Sequence, residues 1–139
     1  MSFSSTASVE AYLEQIPQFQ SVGASAANFD LSRFNNFCDE IGNPHQKFPK
    51  IHVAGTNGKG STCQLLGSVY QQAGYKVGVY TSPHITRFNE RFRINEQLIS
   101  DDELLTFFEA YADKFEEYQL TYFEISTAIA FWWFAQKQV

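Results

Sequence analysis

The chain has 139 residues, enough for one domain that buries roughly two-thirds of the surface its unfolded form exposes. With 44% hydrophobic, 17% aromatic and 18% charged residues it is excluded from the disordered class, and a substantial aromatic core is expected. A net charge of −5 argues against a broad nucleic-acid surface, but screening beyond about 8 Å leaves a few donors in direct contact free to hold a nucleotide.

Charge is unevenly placed. Arg87, Arg91 and Arg93 are three of the four arginines, while residues 101 to 117 hold seven of the fifteen acids. The two cysteines, Cys38 and Cys63, follow no signal peptide, so a reduced, cytoplasmic setting without a structural disulfide is expected. The longest strongly apolar stretch, AIAFWWFA, is far shorter than the ~20 residues that cross a bilayer, so no membrane role is expected.

Val9, Tyr12, Leu13 and Ile16 repeat at helical spacing and predict a short amphipathic helix ended by Pro17. A second helix is expected from Asp30, read as its N-cap, through Leu31, Phe34, Phe37, Cys38 and Ile41 to the stop signal GNP. KIHVA, residues 50 to 54, reads as a buried strand with His52 as a satisfied core histidine. Residues 61 to 73 read as a helix closed by Gly74, and KVGVY as the next strand. The order predicts a βαβ unit with a parallel strand pair, hence an α/β fold.

ERFRINEQLIS predicts two short strands around a turn near Asn95, with the alternating arginines on a solvated face. Ser100 with Glu103 and Thr121 with Glu124 are two capping boxes, each opening a helix. The first carries an apolar face of Leu104, Leu105, Phe108, Tyr111, Ala112 and Phe115. The second, FEISTAIAFWWFA, is apolar nearly all round and is expected to be buried on most sides. An α/β alternation calls for a strand after such a helix, so the chain is expected to be part of a larger protein.

Strand, GTNGKGST and helix form the arrangement in which N–H groups at a helix start converge on phosphate oxygens. Gly55, Gly58 and Gly60 permit tight turning and close approach, Lys59 adds a full positive charge, and Thr56, Asn57, Ser61 and Thr62 add polar contacts. The standard phosphate-loop pattern wants glycine six residues before the lysine and a hydroxyl directly after it. Here Val53 and Gly60 stand at those positions, and the hydroxyl is displaced to Ser61. A glycine-rich turn between strand and helix is the alternative.

IHVAGTNGKGS, followed by GYKVGVYTSPHI, RFNERFRIN, LISDDEL and LTYFE in that order, resembles the folylpolyglutamate synthases and dihydrofolate synthases of the Mur ligase superfamily, from about Asp30 to the end. The resemblance implies a phosphate-loop βαβ core of the superfamily's ATP-binding domain. Residues 1 to 139 would be its N-terminal part, and the C-terminal glutamate-ligase domain would be absent. It implies ATP-dependent phosphorylation of a carboxylate on a pterin-containing substrate, folate or dihydropteroate, followed by attack of the L-glutamate amine on the acyl phosphate. ATP and Mg²⁺ are the implied cofactors, a monomer the implied full-length state, and the fragment alone is expected to be inactive.

Carried onto this sequence, the resemblance makes Lys59 the catalytic residue, with Gly55, Thr56, Asn57, Gly58, Gly60, Ser61 and Thr62 holding the nucleotide. It makes Ser82 of the SPH motif a metal ligand, which Mg²⁺ chemistry allows and which a Ser-Pro turn also explains. It makes Thr121 and Phe123 of TYFE, and Leu31 of FDLSRF, substrate contacts. Thr121 is equally accounted for as a cap and Phe123 as core. His84 either faces the bound molecules or shapes the SPH turn. Two other readings stand beside this one: a UDP-muramyl-peptide ligase, disfavoured because the roughly 50 residues before the loop are few for a UDP-sugar domain, and a noncatalytic nucleotide-binding module.

Overall fold

A computed structural model of the chain describes Phe3 and residues 5–16 and 30–139. The expected helix stop at Pro17 lies outside the described residues.

Helix α1, Thr6–Gln15, starts in a reciprocal capping box between Ser5 and Ser8 and buries Val9 and Leu13, as their spacing predicts. Helix α2, Ser32–Glu40, buries Phe34, Phe37 and Cys38. Its N-cap is Leu31 rather than Asp30, a correction of one residue. The Asp30 carboxylate still does capping chemistry, accepting the Ser32 N–H at 2.9 Å and the Ser32 hydroxyl at 2.7 Å. Gly42 and Asn43, both with positive φ, and then Pro44 end this helix as the GNP signal predicts.

Helix α3, Lys59–Gln72, is followed by Gly74 at φ +91° and strand β1, Gly78–Tyr80. A short 3₁₀ turn, Phe88–Arg91, leads into β2, Phe92–Ile94, and β3, Gln97–Leu98. The sheet runs β1-β2-β3, antiparallel throughout, with Val79 opposite Arg93 and Ile94 opposite Gln97. Asn95 turns the hairpin at φ 50°, where its short polar side chain tolerates the left-handed region. The expected parallel pair is absent among the described residues. Residues 50–54 form no strand there, Ile51 is 61% exposed, and His52 is exposed rather than a core histidine. A parallel strand needs a bonded neighbour and cover on both faces, and no described strand lies beside this run.

Helices α4, Asp101–Glu117, and α5, Tyr122–Lys137, open in the two predicted capping boxes. They hold the centre of an aromatic core in which Phe37, Phe88, Phe92, Phe107, Phe108 and Phe115 are all buried. The rings meet mostly edge to face, as their quadrupoles prefer: Phe108 lies 5.6 Å from Phe115 at 89°, and Phe37 lies 5.9 Å from Phe115 at 71°. Helix α5, apolar all round, buries Ile125, Ala128, Ile129, Trp133 and Phe134. Gly78 has to be glycine there, because a Cβ would stand 2.7 Å from the Phe134 ring. Among the described residues no helix is long and apolar enough to cross a membrane.

Candidate functional site: a phosphate loop beside an aromatic wall

Gly58, at φ +75°, is the N-cap of α3 and leaves the helix start without a side-chain cap. The first helical bond is Thr62 N–H to the Gly58 carbonyl at 2.9 Å, so the N–H groups of Lys59, Gly60 and Ser61 precede the intrahelical ladder. Lys59 curls back over the loop, its Nζ donating to the carbonyls of Gly55 at 2.6 Å and Thr56 at 3.2 Å. The Thr62 hydroxyl is turned inward to the Gly58 carbonyl at 2.9 Å. Residues 54–62 are exposed throughout, so Gly55, Thr56, Asn57, Gly60 and Ser61 face solvent on one surface with the lysine. Uncapped N–H groups, the positive end of the helix dipole and an ammonium group together suit a polyanion.

Helix α3 is bound to the sheet at two places. At Gly67 a Cβ would meet Val79 at 3.0 Å, and farther toward the loop Gln64 accepts a hydrogen bond from Arg93. From Gly67 back to Lys59 the helix rises about 12 Å. From Val79 forward to Ser82 the chain rises about 10 Å. Val79 lies back at Gly67, well before the end of α3 at Gln72, so the chain reverses between helix and strand, and the loop and Ser82 point toward the same end of the unit.

Ser82 is exposed, and the segment after it is pinned by Glu90, whose carboxylate accepts the N–H groups of Ile85 at 2.8 Å, Thr86 at 3.1 Å and Arg87 at 2.8 Å. Those bonds, that of Ile85 foremost, hold the Glu90 carboxyl below the ordinary range. Among the described residues no group of three His, Cys, Asp or Glu could hold a metal. A magnesium ion at Ser82 would therefore rest on one hydroxyl, phosphate oxygens and water, a set that this hard ion accepts.

The aromatic wall lies on the β1 side. Tyr80 stacks on Phe92, centroids 5.6 Å apart at 1°, and meets Phe123 at 6.5 Å and 34°. Phe123 is 53% exposed, so it is not the core residue that a helix start ordinarily buries. Burial pushes the Tyr80 phenol up, and its hydroxyl lies 3.4 Å from that of Thr127. Thr121 is occupied as a cap, its hydroxyl accepting from Glu124 N–H at 3.3 Å and donating to the Glu124 carboxylate at 2.9 Å. Leu31 is 60% exposed, and Arg33, two residues on, donates to Gln119 at 3.2 Å, which ties the start of α2 to the start of α5.

The arginines depart most from expectation. Arg87 is a surface residue paired with Asp101 at 2.7 Å, but Arg91 is buried, 7% exposed, and Arg93 is half-buried against Gln64. They are not one solvated face, because Arg91 belongs to the 3₁₀ turn before β2, where strand alternation does not apply. The Arg91 guanidinium lies 5.6 Å from the Phe88 ring centre and 5.1 Å from that of Tyr122, and its Nε donates to His84 Nδ1 at 2.9 Å. No sequence signal marked it, since Tyr122 comes from a distant helix and the 3₁₀ turn that brings Phe88 and His84 to it carries no strand or α-helix periodicity.

No family model matches the chain. Curated relatives do: over 135 residues it is 38% identical to the folylpolyglutamate synthase of Lacticaseibacillus casei, covering 92% of this chain and 32% of that protein. The crystal structure of a folylpolyglutamate synthase from Thermotoga maritima superposes with a TM-score of 0.82 at 34% identity, over 96% of this chain and 31% of that one. A bifunctional folylpolyglutamate synthase/dihydrofolate synthase with manganese, AMPPNP and L-glutamate bound gives 0.81 at 36% identity, over 96% of this chain and 30% of that one. The chain thus spans about a third of the length of the relatives it matches. The likeness places its helices and sheet in the α/β fold of that family, truncated relative to the longer proteins.

Proposed function

We propose, from the premise that this chain belongs to the folylpolyglutamate synthase and dihydrofolate synthase family, that it supplies the N-terminal, phosphate-holding part of an ATP-binding domain. The protein that carries it is an ATP-dependent ligase joining L-glutamate to folate or dihydropteroate in the cytoplasm.

The observation that carries this reading is the start of α3. Its cap has no side-chain partner, and the Lys59 ammonium rests on loop carbonyls at 2.6 Å and 3.2 Å. A phosphate chain offers those N–H groups the acceptors they lack, and offers Lys59 a charge in place of a dipole. The donor set therefore fits a nucleotide, and the bound molecules named for the manganese and AMPPNP relative support ATP with a divalent metal. When bound, ATP supplies the phosphoryl group that activates the substrate carboxylate, and magnesium supplies positive charge beside it.

The chain's own residues bind and orient. The N–H groups of Lys59, Gly60 and Ser61 grip phosphate oxygens, and Lys59 neutralises charge that grows on the transferred group. Ser82, at the same end of the unit, offers the metal an oxygen. Phe123, exposed beside Tyr80, offers a face on which a flat pterin stacks.

Phosphate release by the protein that carries this chain, measured with ATP and a pteroate or folate acceptor, tests the reading. It predicts release that depends on L-glutamate and is lost in Lys59→Ala. Release indifferent to glutamate would overturn the ligase assignment.

A further inference from the structure

Arg91 is a costly residue to bury. A guanidinium taken out of water needs compensation, and an apolar side chain of similar length would fill the same space without that penalty. Its compensation here comes from two ring faces and one imidazole nitrogen, with no carboxylate ion pair to it among the described residues. Two carboxylates lie in this neighbourhood and both are engaged elsewhere: Glu10 accepts the Phe88 N–H at 3.2 Å, and Glu90 accepts the N–H groups of Ile85, Thr86 and Arg87.

The three partners come from the two motifs assigned to the site and the turn between them: His84 from SPH, Tyr122 from TYFE, and Phe88 from the intervening 3₁₀ turn. His84 also meets Phe88 edge to face at 6.0 Å. One buried side chain therefore ties the SPH segment to the start of α5, the helix that carries Phe123.

The hydrogen bond also has a fixed direction. Every guanidinium nitrogen is a donor and none is an acceptor, so His84 Nδ1 must present its lone pair to Arg91 Nε at 2.9 Å. A neutral imidazole with a lone pair on Nδ1 carries its hydrogen on Nε2. We infer that Arg91 is a positioning residue that locks His84 as an Nε2–H donor, set to hydrogen-bond an oxygen anion, phosphoryl or carboxylate, in the site. The anion half of this inference rests on the ligase reading above; the tautomer half rests on geometry alone.

Long-range ¹H–¹⁵N correlation spectra of this chain test the tautomer without any substitution of Arg91. The three histidines are His45, His52 and His84, and His84→Gln identifies the third set of signals by its loss. Expected, for the uncharged form of the His84 ring, is hydrogen on Nε2 and none on Nδ1. A protonated Nδ1 or an averaged mixture would overturn the lock. In the protein that carries the chain, Arg91→Lys keeps a cation but loses Nε and the planar stack. It is expected to lower kcat about tenfold while KM for ATP stays within twofold, and His84→Gln, which keeps an amide donor near the Nε2 position, to retain more kcat than His84→Ala. Unchanged kcat in Arg91→Lys, or equal losses in the two His84 variants, would overturn the positioning role. If the wild-type protein shows no glutamate-dependent turnover, the ligase reading falls on its own, and the spectrum still decides whether Arg91 sets the tautomer.

Discussion

Residues 54–62, which carry the proposed phosphate loop, are exposed throughout, whereas Phe37, Phe107 and Phe108 are 0% exposed and sit among rings on several sides. Helix α3 is joined to the sheet at Gly67 and Gln64 and leaves Leu65 and Val69 at 70% and 64% exposure. The stability of the chain resides in one region and its proposed nucleotide site in the other. A loop built from glycines to approach a ligand gives up the apolar contacts that would hold it, so it depends on a neighbour that packs well.

Substitutions should therefore divide cleanly. Phe107, enclosed by Phe108, Tyr111, Phe115 and Trp132, is the largest test: Phe107→Ala is expected to cost about 3–5 kcal/mol in urea unfolding. Gly78→Ala, which drives a methyl group into the Phe134 ring at 2.7 Å, is expected to cost about 1–3 kcal/mol. Thr121→Ala removes the α5 cap for about 1 kcal/mol, while Thr121→Ser restores it. Should Thr121→Ser keep full stability but raise KM for the pterin substrate severalfold, the threonine methyl group would be a substrate contact in addition to a cap.

A smaller effect follows from pH. Burial pushes the Glu103 carboxyl up, but Lys137 at 2.6 Å, the Ser100 N–H and its other partners outweigh it and hold it at about 2, against an ordinary value of 4.5. A carboxyl lowered in the folded state contributes stability above its unfolded pKa and loses it as pH falls toward the folded one. The urea midpoint is therefore expected to drop between pH 4.5 and 2, and Glu103→Gln, which keeps the capping geometry, to flatten that part of the curve.

Much of the core region was legible in the sequence because its signals are local. Ser100 with Glu103, Thr121 with Glu124 and the turn at Asn95 each act within four residues, and all appear where they were read. The turn at Gly58 into α3 was legible for the same reason, as a backbone conformation. Features that depend on a distant partner or on an irregular turn were not. KIHVA has a strand's composition, but pairing needs a neighbour that the run itself does not specify. Arg91 looks like one of three alternating surface arginines until Phe88, Tyr122 and His84 are brought around it.

Calorimetric titration of ATP with magnesium into this chain, wild type beside Lys59→Ala, tests the division between the two regions most directly. Saturable binding is expected that weakens at least tenfold in Lys59→Ala, with unfolding free energy changed by no more than about 0.5 kcal/mol. Equal ATP affinity in the two proteins would contradict it, because the exposed loop would then not be the phosphate site.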